Sequence, residues 1–228
     1  LSSLSDNTGL ENITEGANSG WRFIGAPAAY YGDIGSNAVD LSFSNSVSST
    51  IGATGNYSFA SGHNVTASGA NSIAMGENVT ASGTNSIAIG DNVTASGAIA
   101  VAIGYNTTTA SGTVSYAIGN GITSPSFAET VIGIFNTDYT PNNTAGFDGS
   151  DRLFVIGNGT TTFSRSNALI MYKDGSMEIN DAYTMPNADG ATNTVLTTDG
   201  SGNVSWSASS SGTDDQNIDT LADEIYQL

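Results

Sequence analysis

The chain of 228 residues contains no cysteine and only four basic residues, against 21 Asp and Glu. The lack of cysteine excludes a disulfide framework, thiolate zinc sites and a cysteine nucleophile. The formal net charge of −17 excludes a nucleic-acid partner, because such binding depends on neutralising phosphates, and it disfavours anionic membrane surfaces. No segment approaches the roughly 18 apolar residues of a membrane span, so we expect no membrane insertion by this segment.

Charged side chains are also scarce, at 11% of the residues, which is about half the share in an ordinary soluble domain. Small residues take their place, including 28 glycines. A chain so poor in long apolar side chains cannot build a thick core. It must bury small side chains in thin layers, or bury surface against copies of itself.

Glycine recurs with a fixed period, which is typical of a repeat architecture. The first glycine ladder has steps of fourteen residues and one of fifteen: Gly62, Gly76, Gly90, Gly104, Gly119 and Gly133. The second glycine ladder runs seven residues out of phase: Gly55, Gly69, Gly83, Gly97 and Gly112. Both ladders share the extra residue, which lies within Tyr105–Gly112.

Each repeat, such as ANSIAMGENVTASG at 70–83, holds two strand-like halves of about five residues, each ending in glycine. Glycine at these places predicts tight turns with positive φ, and helices would be broken within two turns. The pattern predicts an all-β fold, with coils of two short strands stacked at about 4.8 Å into a parallel β-roll. The coils from Gly55 to Gly133 predict a rod of roughly 25–30 Å.

Alternation along SIAMG and SIAIG sends the large aliphatic side chains to one side and Ala74 and Ala88 to the other. A coil of fourteen residues is too narrow to hold the large ones, so we expect an outward apolar stripe. Closed symmetry would bury this stripe between copies. The stripe is predicted to consist of Ile73, Met75, Ile87, Ile89, Ile103 and Ile118.

The C-terminal segment 214–228 carries apolar residues spaced 3, 4 and 3 apart, which is one heptad of a coiled coil. Ile at a with Leu at d is most often found in dimers, so this heptad does not by itself fix a trimer. These residues complete the predicted subunit interface: Ile218, Leu221, Ile225 and Leu228.

The units of the form NSIAxGxNxTASG, covering about Thr54–Gly133, resemble the head repeats of trimeric autotransporter adhesins of the YadA type. The resemblance implies a left-handed parallel β-roll, an intertwined homotrimer and a following coiled-coil stalk. The flanking segments resemble modules found beside such repeats in large surface proteins of Bacteroidetes-like bacteria and in phage or virus tail fibres. The carrier, whether a cell surface, a virion or an injection machine, stays open.

We expect five parts in a fragment of a longer chain. They are an N-terminal β module (1–52), the β-roll head repeats (53–134), a β-hairpin module (135–181), a β neck-like module (182–208), and a linker with the start of a coiled coil (209–228).

No nucleotide-binding, hydrolase or metalloprotease motif is present, so we expect no enzyme, no catalytic residue and no cofactor. His63, the only histidine, falls at a repeat turn and is predicted to be solvated there. A calcium site at Asp138, Asp148 and Asp151 stays open, since oxygen ligands suit that ion. The N-x-T sequons at Asn64, Asn78, Asn92 and Asn106, with five others, fit turn chemistry as well as glycosylation.

We therefore expect a structural and adhesive segment of an extracellular homotrimeric fibre, which meets a surface receptor, glycan or protein. The turns Glu77–Asn78 and Asp91–Asn92 and the loop Thr137–Ser150 are the predicted contact regions. An ice-binding β-solenoid is the rival hypothesis, because threonines recur in rows. These rows pair Asn64 with Thr66, Asn78 with Thr80, Asn92 with Thr94 and, less regularly, Asn106 with Thr108.

Overall fold

The computed structural model describes residues 9–209, which form eighteen β-strands and one short 3-10 helix, Ala28–Tyr30. The strands up to the middle of the chain are β1 (Leu10–Glu15), β2 (Asn18–Phe23), β3 (Val39–Phe43), β4 (Phe59–His63), β5 (Thr66–Ala67), β6 (Ile73–Glu77), β7 (Thr80–Ala81), β8 (Ile87–Ala95) and β9 (Val101–Ala110). The later strands are β10 (Tyr116–Asn120), β11 (Thr123–Ser124), β12 (Thr130–Ile134), β13 (Arg152–Asn158), β14 (Asn167–Tyr172), β15 (Met177–Ile179), β16 (Tyr183–Met185), β17 (Thr194–Thr198) and β18 (Val204–Ala208).

The all-β prediction is confirmed, and the repeats form a solenoid of stacked coils. One parallel ladder runs β3-β4-β6-β8-β9-β10-β12-β13, with Ile73 beside Ile87 and Ile87 beside Val101. A second ladder on the opposite side of the coils joins β5, β7, the end of β8, the end of β9, and β11. The first ladder continues beyond residues 53–134 at both ends, into β3 and β13.

Antiparallel strands close both ends of the first ladder. At the N-terminal end the hairpin β1–β2 joins the stack through β2 and β3. At the C-terminal end β13 is followed by β14, β15 and β16, each antiparallel to its neighbour. The hairpin β17–β18 forms a separate sheet and touches β16 through the bridge of Thr184 and Asn203.

The interior is filled by columns of one residue per coil: small residues lie beneath the first ladder, as predicted, but the coil also holds valine and isoleucine, which its narrowness did not predict. One column is Ala60, Ala74, Ala88, Ala102 and Ala117, all fully buried. Another consists of Val65, Val79, Val93, Thr108 and Ile122. Larger residues, Val131, Val155 and Ile170, continue the alanine column from Ala117 into β12–β14.

The two glycine ladders serve different purposes. In the first, Gly76 has φ +127°, and a Cβ there would strike the carbonyl of Gly90 in the next coil. The predicted positive φ is wrong for the second ladder. Gly69 and Gly83 are needed only because the next coil approaches closely, and the left-handed residue follows two places later, as at Asn71 (φ 55°).

The second ladder ends against a side chain rather than a strand. Asn136 is buried and its Oδ1 accepts a hydrogen bond from Thr123 N at 2.9 Å, while its Nδ2 donates to Thr123 O at 3.0 Å. An amide side chain has the same donor and acceptor as a peptide unit. Asn136 thus satisfies the backbone of β11 where the next strand would otherwise pair.

Candidate assembly and display surfaces

Two rows of outward side chains run along the first ladder, and together they form what we call the apolar face. The first row is Trp21, Val39, Phe59, Ile73, Ile87, Val101, Tyr116, Thr130, Phe154, Met171, Met177 and Met185. The second row is Leu41, Ser61, Met75, Ile89, Ile103, Ile118, Ile132, Ile156, Leu169, Ile179 and Tyr183. Each member is adjacent to the next because the strands pair in register.

The structure places the six predicted stripe residues together on the apolar face. Ile73, Ile87 and Ile89 are half-buried by their neighbours in the row, whereas Met75 and Ile118 are exposed. The residues that alternate with them along the same strands, such as Ala74, point inward and are fully buried. Ile218, Leu221, Ile225 and Leu228 lie outside the described residues.

Sequence reasoning missed the extension of the apolar face into the two caps. Trp21 on β2 is exposed to 45%, and Met171 on β14 to 38%. These residues follow no fourteen-residue period. The available signal was the alternation along β2, where Gly20 and Arg22, both buried, alternate with the exposed Trp21 and Phe23.

The opposite side of the roll carries hydroxyl groups, and we call it the threonine face. Its first rank, half-buried and paired in register, is Thr66, Thr80, Thr94, Thr109 and Thr123. Its second rank, exposed and directly after the end of each strand, is Ser68, Ser82, Ser96 and Ser111. The predicted place of Thr108 in this row is wrong, because the extra residue near Asn106 moves Thr108 into the interior opposite Val93.

The sequon asparagines occupy the turns between the two faces. Asn78 and Asn92 are exposed with φ of 52° and 54°, a conformation that asparagine tolerates better than most residues. The turn conformation therefore accounts for asparagine at these positions without glycosylation. His63 is the last residue of β4, directly before the turn at Asn64; its Nδ1 is 3.4 Å from Glu77 Oε1, and its ring stacks on Phe43 at a centroid distance of 6.0 Å.

The acidic loop 137–151 uses its carboxylates to hold itself in place. Asp151 accepts hydrogen bonds from Asn142 N at 2.7 Å and Asn143 N at 2.9 Å. Asp148 accepts from Ser150, which lowers the pKa of Asp148. Asp138 instead pairs with Arg165. Within residues 9–209 no group of three or more acidic, histidine or cysteine side chains could hold a metal ion.

The carboxyl group of Glu129 is buried inside the roll, without an ion-pair partner like that of Asp40 among the described residues. Glu129 continues the interior column of Ser58, Ser72, Ser86, Ala100 and Ser115, and it is fully buried. Its Oε2 accepts from Ser126 N at 2.9 Å, while Oε1 has no hydrogen-bond partner. Burial raises the pKa of Glu129 to about 7, although Ser126 N–H and the nearby cations favour the ionised form.

Two of the four basic residues lie close to this carboxyl group. Lys173 Nζ donates to Ser126 Oγ at 2.8 Å, and Arg152 donates to Thr137 O at 2.9 Å while its guanidinium covers the Tyr139 ring. Burial lowers the pKa of Lys173. This arrangement ties the acidic loop to the C-terminal end of the roll and leaves no site open to a substrate around Glu129, which solvent does not reach.

No helix among residues 9–209 combines the length and the apolar character needed to span a membrane.

The comparisons with known proteins agree with the repeat geometry. The family described as "YadA head domain repeat (2 copies)" matches residues 53–78, 67–92 and 81–107. Residues 53–107, about a quarter of the chain, are therefore YadA-type head repeats, as their resemblance predicted. Such repeats are of an adhesin type. Neither the curated proteins nor the solved structures gave a match to the chain.

Proposed function

We propose that the chain is a structural and adhesive segment of an extracellular homotrimeric fibre, in which three apolar faces meet along the fibre axis. The observation that carries this proposal is the continuity of the apolar face through the coils and into both caps. An adhesin-type repeat within residues 53–107 supports the same function. The rod then holds its threonine faces and turns outward for attachment.

The apolar face is too extensive to remain in water. Monomeric soluble proteins rarely expose contiguous apolar patches above a few hundred Å². Here Met75, Ile103 and Ile118 are more than a third exposed on three coils of one stack. Each such side chain contributes on the order of 1 kcal/mol when the remaining exposed part is buried. Association of copies through this face removes these apolar side chains from water.

Three copies are favoured over two by the resemblance of the repeats to trimeric heads. In that arrangement a heptad at Ile218, Leu221, Ile225 and Leu228 would continue the three-fold axis as a coiled-coil stalk. We propose the same part boundaries as the sequence predicts: head repeats at 53–134, flanking β modules, and the stalk start at 209–228.

The mechanism of such a fibre is mechanical. Backbone hydrogen bonds join every coil to the next along the axis, for example from Thr66 N to Val79 O at 2.8 Å. Receptor contact would fall on the outward turns Glu77–Asn78 and Asp91–Asn92 and on the loop 137–150. A glycan or protein receptor fits these polar surfaces. A cell surface is the favoured carrier, and a virion or injection-machine tail fibre is the alternative.

Solution mass tests the trimer. Light scattering at several concentrations should give three times 23.1 kDa for the unaltered chain. The double variant Ile87→Lys/Ile89→Lys should fall to a monomer, because it places two charges on the apolar face. The matched control Thr80→Lys/Thr94→Lys adds the same charges to the opposite face and should remain trimeric. A trimer that survives the isoleucine replacements would refute the apolar face as the interface.

An ice-binding solenoid is a second candidate, supported by the five threonines in one rank of the threonine face. It predicts thermal hysteresis and faceted crystals from the unaltered chain. The lysine pair at Thr80 and Thr94 should abolish both effects while preserving the oligomer. No hysteresis in the unaltered chain removes this candidate.

A further inference from the structure

A pocket opens at the N-terminal end of the roll, beyond the carboxyl ends of β2 and β3. Its volume is about 540 Å³. The walls are the rings of Phe23, Tyr30 and Phe43 together with Pro27, and Asn45 lies at the rim. No charged side chain lines it, although the chain has 21 acidic residues. The pocket thus suits an uncharged, apolar group.

The floor of this pocket is fixed in place. Tyr31 is buried, and its hydroxyl donates to Ser42 O at 3.3 Å and accepts from Ser44 N at 3.4 Å. The guanidinium of Arg22 lies 4.7 Å from the centre of the Tyr31 ring on the interior side. A pocket held by such contacts is preformed, which lowers the entropic cost of filling it.

A matching apolar group projects from the other end of the roll. Phe163, in the loop 159–166 between β13 and β14, is 100% exposed. The loop is closed by the hydrogen bond from Thr160 N to Ser164 O at 2.8 Å. Arg165 anchors it by donating to Gly121 O and Asn136 O, both at 2.9 Å. An anchored loop that presents a lone aromatic ring resembles the anchor residues of protein interfaces.

The pocket and Phe163 lie on one edge of the solenoid. Strands in a parallel ladder have their carboxyl ends at the same edge, and both features follow such an end: Phe43 of β3 and Asn158 of β13. Seven strand spacings separate β3 from β13, or about 34 Å. Phe163 therefore cannot reach the pocket of its own chain.

We propose that Phe163 of one copy inserts into the aromatic pocket of a second copy, with the two rods side by side and antiparallel. A two-fold axis across the rods then forms two contacts at once, because each copy supplies one ring and one pocket on the same edge. Two-fold contacts of this kind are closed and self-complementary. This pairing is separate from the proposed assembly along the apolar face and does not rest on it.

Charge favours these two neutral patches as the points of contact. Two copies of a chain with net charge −17 repel each other, and the edge between pocket and loop carries Glu77 and Asp91. The residues from Thr160 to Ser164 carry no charge, and neither do those of the pocket. Pairing should therefore strengthen as added salt screens the repulsion.

Sedimentation velocity of the full chain over a concentration and NaCl series tests the pairing. The unaltered chain should show a second species with twice the mass of the species seen at low concentration, whether that smaller species is one chain or three. The experiment therefore tests the pairing separately from the trimer. Phe163→Ser should weaken the doubling roughly tenfold or more. Ala26→Trp, which fills the pocket, should do the same. Phe147→Ser is the matched control, since Phe147 is 70% exposed in the other long loop, and it should leave the doubling unchanged.

A mixing experiment identifies the occupant. Phe163→Ser retains a pocket and Ala26→Trp retains a ring, so each variant alone lacks both contacts, whereas a mixture of the two should recover one of them. Fluorescently labelled variants would show mixed doublets at an intermediate affinity. A mixture without doublets, or an unaltered chain that never doubles at any salt concentration, overturns the proposal.

Discussion

Replacing Glu129 by Gln should remove the part of the pH dependence of stability between pH 5 and pH 8 that Glu129 causes. Burial raises the pKa of Glu129 from the ordinary 4.5 to about 7. The folded state therefore binds this proton more tightly than the unfolded state. The resulting stabilisation is complete below pH 4.5 and is lost as the pH rises through 7.

The magnitude follows from the difference between 4.5 and about 7. This difference corresponds to about 3 kcal/mol of unfolding free energy, and most of it is lost between pH 5 and pH 8. Glutamine keeps an acceptor for Ser126 N–H but leaves its own amide without an acceptor, since Oε1 has no partner. That cost of about 1–3 kcal/mol does not depend on pH, so the change in slope is the diagnostic quantity.

Urea unfolding followed by circular dichroism, at fixed protein concentration and at pH 5, 6, 7 and 8, measures this slope. Asp33→Asn, at an exposed loop carboxylate, serves as the control and should track the unaltered chain. Parallel pH profiles for Glu129→Gln and the unaltered protein would refute a buried carboxyl group with a raised pKa.

Two further replacements test the backbone and the N-terminal cap. Gly76→Ala should lower the free energy of unfolding in urea by at least about 2 kcal/mol, because φ there is +127° and the added Cβ meets the carbonyl of Gly90. The control Gly175→Ala, with φ +90° and open space around the added Cβ, should cost only about 1 kcal/mol. Equal costs for the two variants would contradict the close stacking of the coils. Arg22→Leu should cost about 3–5 kcal/mol, because it leaves the fully buried Asp40 without its partner at 3.1 Å, and adding Asp40→Asn should restore part of that loss. If the double variant is as unstable as the single one, the uncompensated charge is not the cause.

The periodic part of the fold could be predicted because one coil repeats under nearly the same conditions as the next. The inward Ala74 and the outward Ile73 follow from alternation and from the narrowness of a coil of fourteen residues. The place of Thr108 did not follow, since the extra residue could be absorbed on either side of Asn106. Only the pairing of Thr108 with Val93 shows that the turn before Thr108 contains the extra residue.

Features outside the repeat could not be predicted in the same way, because their surroundings do not recur from coil to coil. The buried ion pair of Arg22 and Asp40 joins β2 to β3, and nothing in the sequence pairs these two residues over their separation of 18 positions. Glu129 was detectable, because it stands where four earlier coils have serine and one has alanine in the interior column. The positions of the pocket and of Phe163 depend on the edge of the solenoid at which each loop begins. Only the order in which the strands pair determines that edge.

Asn136 bears on how rods of this kind vary in length. Since one amide side chain ends the second ladder, termination there needs a single residue and no dedicated strand. Every coil upstream of it contacts its neighbours through the same backbone bonds, and the units at 70–83 and 84–97 are nearly identical in sequence. Unequal recombination between such units would insert or delete whole coils without touching either end. Each recombination event of this kind can therefore lengthen or shorten the rod by about 5 Å per coil. The length of the rod can then evolve independently of the surfaces at its two ends.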